Sequence, residues 1–182
     1  MKNLAELDLT IRHGTPADAS ALADFGARAF HDAFGAENRP SDMALYVGKS
    51  YGVSQQHAEL TNPGTTTLLA AVDGQLAGYA QLRVNPSPDC VVGMAPVELW
   101  RFYVAGAWHG RGVARALMNR VETEARERGA RTLWLAVWER NERAKAFYRK
   151  CGFADVGSQH FVLGTDVQND RIMVRSLGEL QT

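Results

Sequence analysis

The sequence predicts a mixed α/β fold, and three observations carry that prediction. Asp73-Gly74 sits between two β-rich runs, a residue pair suited to a two-residue hairpin turn whose positions need positive φ. An apolar run ending at Val104, a helical pattern and a second apolar run ending at Val137 read as a strand-helix-strand crossover, which implies parallel neighbours. A last helical pattern is stopped by Cys151-Gly152 and followed by two more β-type runs. Hairpin and crossover in one chain make the sheet mixed.

Taken in order, a short strand over Leu7–His13 leads to Thr15-Pro16, a helix start with Thr as cap and Pro at the first helical position. Ala19, Leu22, Ala23, Phe25, Ala29 and Phe30 then recur at helical spacing. Gly35 to Pro40 breaks that pattern, Ser41-Asp42 opens a second helix, and Ser54–Leu60 reads as a third. Thr65–Val72 and Gln75–Val84 are the hairpin strands, and the composition from Asn85 to Asp89 (NPSPD) requires a loop. Val97–Val104 is a strand, Arg111–Arg128 a helix closed by Gly129, and Arg131–Val137 the strand that completes the crossover. Glu142–Lys150 is the final helix; Phe153–Val162 and Arg171–Leu177 are the closing strands.

The 182 residues are read as one domain, 1–182, long enough to bury a core. Twenty basic residues cancel twenty acidic ones, so no global field favours nucleic acid or an anionic membrane, and any anion site must be local. Cys90 and Cys151 make neither a disulfide framework nor a zinc pattern, which suits a reducing, cytoplasmic setting. The N-terminus lacks the basic-then-apolar order of a signal peptide, and no apolar run approaches a membrane span. His13, His31, His57, His109 and His160 have no ligand spacing, so no metal is expected.

The stretch richest in chemistry runs from Val104 to Ala114 (VAGAWHGRGVA). Gly110 and Gly112 let the backbone approach a ligand, and the helix start that follows leaves N–H groups without intrahelical acceptors. Those donors and the positive end of the helix dipole suit a diphosphate. The same glycines also suit a plain strand-to-helix turn. A dinucleotide fingerprint fails because its third glycine would fall on Arg115, and no GxxxxGK[ST] motif occurs.

The element order, the segment Glu98–Val104 (ELWRFYV), the loop His109–Ala114 (HGRGVA) and the segment Asn141–Phe153 (NERAKAFYRKCGF) resemble the GNAT superfamily of acyl-CoA-dependent N-acyltransferases. The resemblance covers nearly the whole chain. Within the superfamily, RAFHDAF, ELWRFYV and HFVLGTDVQNDRIMVRSL are similar to the PaiA-type branch of small-amine and polyamine acetyltransferases. This implies the GNAT fold, an α/β (α+β) architecture. Its mixed central sheet has about six to seven strands with helices on both faces, an antiparallel N-terminal part and the crossover at the acyl-CoA site. It implies acetyl-CoA as cosubstrate, its pantetheine arm pairing with the backbone of Phe102, Tyr103 and Val104 in a slot splayed open beside the next strand. The Phe102 N–H would polarise the thioester carbonyl. The phosphates would fall to His109, Gly110, Arg111, Gly112, Val113, Ala114 and Arg115, with His109 standing where the family carries Gln or Arg. Asn141 matches a further cofactor-contacting position.

Direct transfer to an amine needs two proton movements, because an alkyl ammonium with a pKa of about 10 must lose a proton and the departing thiolate must gain one. Glu98 matches the base position of several family members; an anchor for a cationic substrate, or simply a paired strand-end carboxylate, suits the residue equally. Tyr148 matches the catalytic tyrosine that protonates the thiolate, against the plainer reading of a core tyrosine. Cys151, at a helix end without an activating base, reads as structural. Phe30, His31, Asp32 and Phe34 lie on the helix that borders the acceptor pocket in this family, although an amphipathic helix explains them too. The implied activity is acetyl transfer from acetyl-CoA to a small primary amine such as a polyamine, by direct attack in a ternary complex. No nucleic-acid or membrane partner is expected, and the C-terminal strands leave room for a homodimer contact. Three alternatives stay open: a protein N-terminus or lysine as acceptor, an acyl-CoA-binding regulator without catalysis, and another nucleotide-binding α/β protein.

Overall fold

The computed structural model describes residues 8–178. β1 (Leu9–His13) opens the chain, Leu7 of the expected strand lying outside the described residues. Asp18 accepts hydrogen bonds from the Thr15 N–H, the Thr15 hydroxyl and Arg12, and this box turns Pro16–Asp18 into a single 3₁₀ turn feeding α1 (Ala19–Phe34). α2 (Pro40–Ser50) begins on the proline itself, one residue before the expected Ser41, because the locked φ of proline already suits a first helical turn. α3 (Val53–Thr61) follows. β2 (Thr65–Val72) and β3 (Gln75–Arg83) form the hairpin, with Asp73 and Gly74 at φ 48° and 77° as the expected pair of left-handed turn residues.

β4 (Pro96–Val104), α4 (Val113–Glu127) and β5 (Thr132–Trp138) form the crossover. The helix starts two residues after the expected Arg111. Gly112 has φ 86° and therefore caps the helix instead of joining it. α5 (Glu142–Lys150) ends at Cys151, followed by left-handed Gly152. β6 (Ala154–Leu163) and β7 (Asp166–Ser176) close the sheet as a long hairpin. The first five residues of β7 lie outside the expected strand, since Asp and Asn disfavour β structure locally. Pairing with β6, from Leu163 opposite Asp166 onward, extends them all the same.

The seven strands lie in the order β1-β2-β3-β4-β5-β7-β6, antiparallel throughout except for the parallel pair β4–β5. Side chains alternate along β2, so Leu68 and Ala70 pack with Leu82, Val97, Leu99, Leu117 and Val121 under α4, whereas Leu69 joins Tyr79, Leu22 and Phe25 under α1. Each fully buried Leu stabilises the fold by about 2 kcal/mol relative to exposure.

Two irregularities position the site. The β4–β5 ladder covers only Pro96, Val97 and Glu98 opposite Thr132, Leu133 and Trp134, and beyond it the two strands diverge, leaving the β5-facing backbone of β4 without a ladder partner up to Val104. A bulge places Trp100 as an extra residue between Leu99, opposite Leu82, and Arg101, opposite Gln81. The bulge lets Leu99 stay in the α4-side core while Arg101 is buried against Glu59 of α3 at 2.5 Å and Gln81 at 2.9 Å.

Candidate active site

A cavity of about 680 Å³ opens at the splay. Phe102, Val104, His109, Gly110, Ala114, Asn141 and Tyr148 line it on the α4–α5 side. Phe30, Phe34, Tyr46, Trp138, Phe161 and Asp170 line it on the α1–α2 side, and Arg83, Glu98, Trp100, Arg101 and Tyr103 of β3 and β4 also face it.

The glycine loop is built as an anion cradle. Gly110 and Gly112 have φ 73° and 86°, and a Cβ added at Gly110 would meet no atom within 4 Å, so backbone conformation and not space demands glycine there. The first i→i−4 bond of α4 runs from the Ala116 N–H to Gly112 O at 3.0 Å, which leaves the N–H groups of Val113, Ala114 and Arg115 ahead of it. His109 braces this loop. Its Nε2 lies 2.8 Å from Val104 O and its Nδ1 3.0 Å from Arg143 Nη1. A carbonyl only accepts and a guanidinium only donates, so Nε2 donates and Nδ1 accepts, tying the end of β4 to the loop and to α5.

The other expected cofactor residues divide. Phe102, Tyr103 and Val104 stand on the splayed strand and line the cavity. Asn141 also lines it, while its Oδ1 accepts from the Ala144 N–H at 3.1 Å and caps α5. Four of these positions do not line the cavity with a side chain. Gly112 has none, Val113 is buried in the core, Arg111 stacks over Trp108 at 5.3 Å, and Arg115 donates to Lys150 O and Cys151 Sγ, both at 3.4 Å. Those positions offer backbone amides, and Arg115 is drawn instead to the carbonyl end of α5.

Tyr148 is buried, packed edge-on against Phe102 and Phe153, with the cavity on its remaining side. Burial, with Cys151 adding to it, pushes its hydroxyl pKa well above the ordinary range, so it keeps its proton at neutral pH. Burial also raises the Cys151 thiol, consistent with an inert packing residue. Glu98 is 4% exposed and accepts from Arg83 Nε at 2.5 Å, Arg83 Nη2 at 3.2 Å and Asn85 Nδ2 at 3.2 Å. The Arg83 guanidinium in turn stacks on Trp100 at 4.0 Å.

From α1, Phe30, Asp32 and Phe34 reach the cavity and His31 does not. Trp100 and Trp138 line it, whereas Trp134 is core. Arg83, Arg143, Tyr46, Phe161 and Asp170 escape the sequence reading. Asp170 falls just ahead of the expected β7, and an arginine that reaches across elements carries no local signal. Among the described residues no group of three or more His, Cys, Asp or Glu could hold a metal ion, and no helix is long and apolar enough to cross a membrane.

The sequence model of the acetyltransferase (GNAT) family matches residues 25–153, which span the cavity's glycine loop, Glu98 and Tyr148. The chain belongs to this family. It is 37% identical over 160 residues to an uncharacterised N-acetyltransferase of Mycobacterium tuberculosis, covering 88% of this chain and 98% of that one. It is 32% identical to the aminoglycoside N(6')-acetyltransferase type 1 of Stenotrophomonas maltophilia, over 80% of this chain and 86% of that enzyme. The crystal structure of the PaiA N-acetyltransferase of Thermoplasma acidophilum in complex with coenzyme A superimposes with a TM-score of 0.76. It covers 93% of this chain and 99% of that one at 18% identity, a likeness of fold. The GNAT chain is accordingly an N-acetyltransferase with acetyl-CoA as its cosubstrate. The splayed β4 edge and the free amides at the start of α4 fit an extended arm ending in phosphates.

Proposed function

We propose that this GNAT enzyme acetylates the primary amine of a small molecule by direct attack within a ternary complex. The observation that supports this most is that Tyr148 and Glu98 line the same cavity as the splayed β4 edge. In this reading Phe102, Tyr103 and Val104 pair with the pantetheine arm, and the amides from Gly110 to Arg115, braced by His109, hold the phosphates. Asn141 supports the same wall. The cosubstrate, when bound, supplies the acetyl thioester.

Tyr148 holds the proton that the thiolate takes on departure. Burial keeps the phenol protonated at neutral pH, the state a proton donor must start from. Glu98 accepts the proton of the acceptor ammonium through water. Three hydrogen bonds from Arg83 and Asn85 leave about one of its four lone-pair sites for that water. The likeness to an aminoglycoside acetyltransferase, together with a cavity sized for a metabolite, favours a small acceptor over a peptide. Polyamines are one class within it, which the resemblance to the PaiA branch supports. The chain is read as a single domain acting in the cytoplasm.

Thiol release from acetyl-CoA over a panel of small amines, with peptide N-termini and lysine peptides as comparators, tests the reading. Turnover with small amines at least tenfold above the peptides is the expected result. Tight coenzyme A binding with no thiol release from any amine would identify a non-catalytic acyl-CoA-binding protein.

A further inference from the structure

Six carboxylates are buried among the described residues: Asp42, Glu59, Glu98, Glu122, Glu124 and Asp170. Five of them have an arginine partner: Arg39, Arg101, Arg83, Arg175 and Arg120, respectively. Asp170 has neither an ion-pair partner nor a hydrogen-bond donor among the described residues, although it is only 8% exposed. A carboxylate in that position is costly to keep unless something outside the chain completes it.

Its surroundings indicate what that is. On β7, Asp170 stands opposite Trp138 of β5 and Gln159 of β6, and all three line the cavity. Rings enclose the same end. Phe30 stacks on Tyr46 with centroids 4.6 Å apart, Tyr46 meets Phe161 edge-on at 5.3 Å, and Phe34 meets Trp138 at 5.8 Å. Ring faces attract cations and accept apolar groups. Of the three arginines on the cavity wall, Arg83 is engaged by Glu98, Arg101 by Glu59, and Arg143 donates to His109 Nδ1.

We propose that Asp170 is the counter-ion that draws in the acceptor's ammonium group before that nitrogen gives its proton through water to Glu98 and attacks, and that this pocket selects a small monocationic amine with an apolar or aromatic body. Asp32 also lines the cavity without a partner among the described residues but is exposed, so Asp170 is the one buried unpaired carboxylate among the rings, and it matches one positive charge. Glu139, beyond the end of β5, is the charged group that acts on Asp170 most directly, and Tyr46 faces it from α2. Burial and Glu139 push the Asp170 pKa up to about 6, so it is ionised at neutral pH before any amine arrives. The inference rests on the proposed acetylation of small amines and names the acceptor class of that site.

The test compares wild type with Asp170→Asn using 2-phenylethylamine and spermidine as acceptors, read as thiol release. It is paired with titration calorimetry of 2-phenylethylamine into the CoA-loaded enzyme. For 2-phenylethylamine, D170N is expected to raise KM and Kd by about tenfold to a hundredfold, the range for losing a charged hydrogen bond. The Kd for coenzyme A should stay unchanged, and D170E should recover part of the loss. Wild type should show the lower KM for 2-phenylethylamine. The D170N protein should melt no lower than wild type, since it loses an unpaired buried charge. Thiol release with KM for 2-phenylethylamine within twofold in D170N, or a tenfold preference for spermidine, would overturn this inference and leave amine acetylation standing. No thiol release with any amine would remove both.

Discussion

At the scale of single residues, burial decides the chemistry. Tyr148 sits among Phe102, Phe147 and Phe153, and that apolar packing keeps its phenol protonated while one side stays open to the cavity. Tyr148→Phe keeps the ring and removes the proton, so kcat should fall by about a hundredfold or more with the CoA Kd within about threefold. Steady-state kinetics beside calorimetry separates the two, and an equal loss in both would make Tyr148 a packing residue. Burial acts in the same direction on Asp170, a group that is charged at neutral pH. Its folded pKa of about 6 lies above the ordinary carboxylate value of 3.8, so the folded state binds the proton more tightly than the unfolded chain. Stability is greatest below the unfolded value and declines as pH rises between the two. Above pH 6 the full cost remains, of the order of 2 to 3 kcal/mol. The thermal advantage of D170N should therefore grow from pH 4 to pH 6 and level off above that.

The decisive element is the turn that joins β4 to α4. Its glycines hold left-handed backbone, and His109 bolts it to Val104 and Arg143. Gly112→Ala should cost about 1 to 2 kcal/mol through the φ of 86° that alanine disfavours, and should weaken CoA binding by displacing the amides ahead of Ala116. A melting curve and a CoA titration measure the two losses. Unchanged CoA affinity would show that the cradle tolerates a rearranged cap. Much of this element is legible in the residues themselves, because Gly110 and Gly112 are local conformational signals. Its helix boundary is not, since Arg111 is a good helix former and only the left-handed Gly112 excludes it. Nor is the Arg143 contact, which spans 34 positions of sequence.

For the molecule as a whole, the sheet is held open at one place and tied shut beside it. Arg101 links α3 through Glu59, β3 through Gln81 and the α2 C-terminus through Ser50 O, all beneath the bulge at Trp100. Arg101→Met would strand Glu59 as an uncompensated buried charge, so the protein should lose about 3 to 5 kcal/mol. Its Tm should fall by about 10 °C. Adding Glu59→Gln should recover much of the loss. Additive losses in the double variant would mean that the pair is not coupled. On the far side, Asp42 of α2 accepts from the Thr165 N–H and hydroxyl, which fastens the tip of the β6–β7 hairpin over the aromatic end of the cavity. Phe161 and Asp170 reach the site because that hairpin is long and docked.

A resemblance to a known family pointed to Glu98 and Tyr148, while the sequence by itself determined the order of elements, the Asp73-Gly74 hairpin and the glycine loop. Each of these rests on near-neighbour chemistry: turn propensity, helical or strand periodicity, and local motifs. Only the tertiary structure decided which groups share the cavity and which are already engaged. It paired Glu98 with Arg83, turned Arg115 toward α5, and set Asp170 unpaired among rings. The physical reason is that ion pairing and desolvation depend on distances between residues far apart in the chain, and a one-dimensional pattern does not contain those distances.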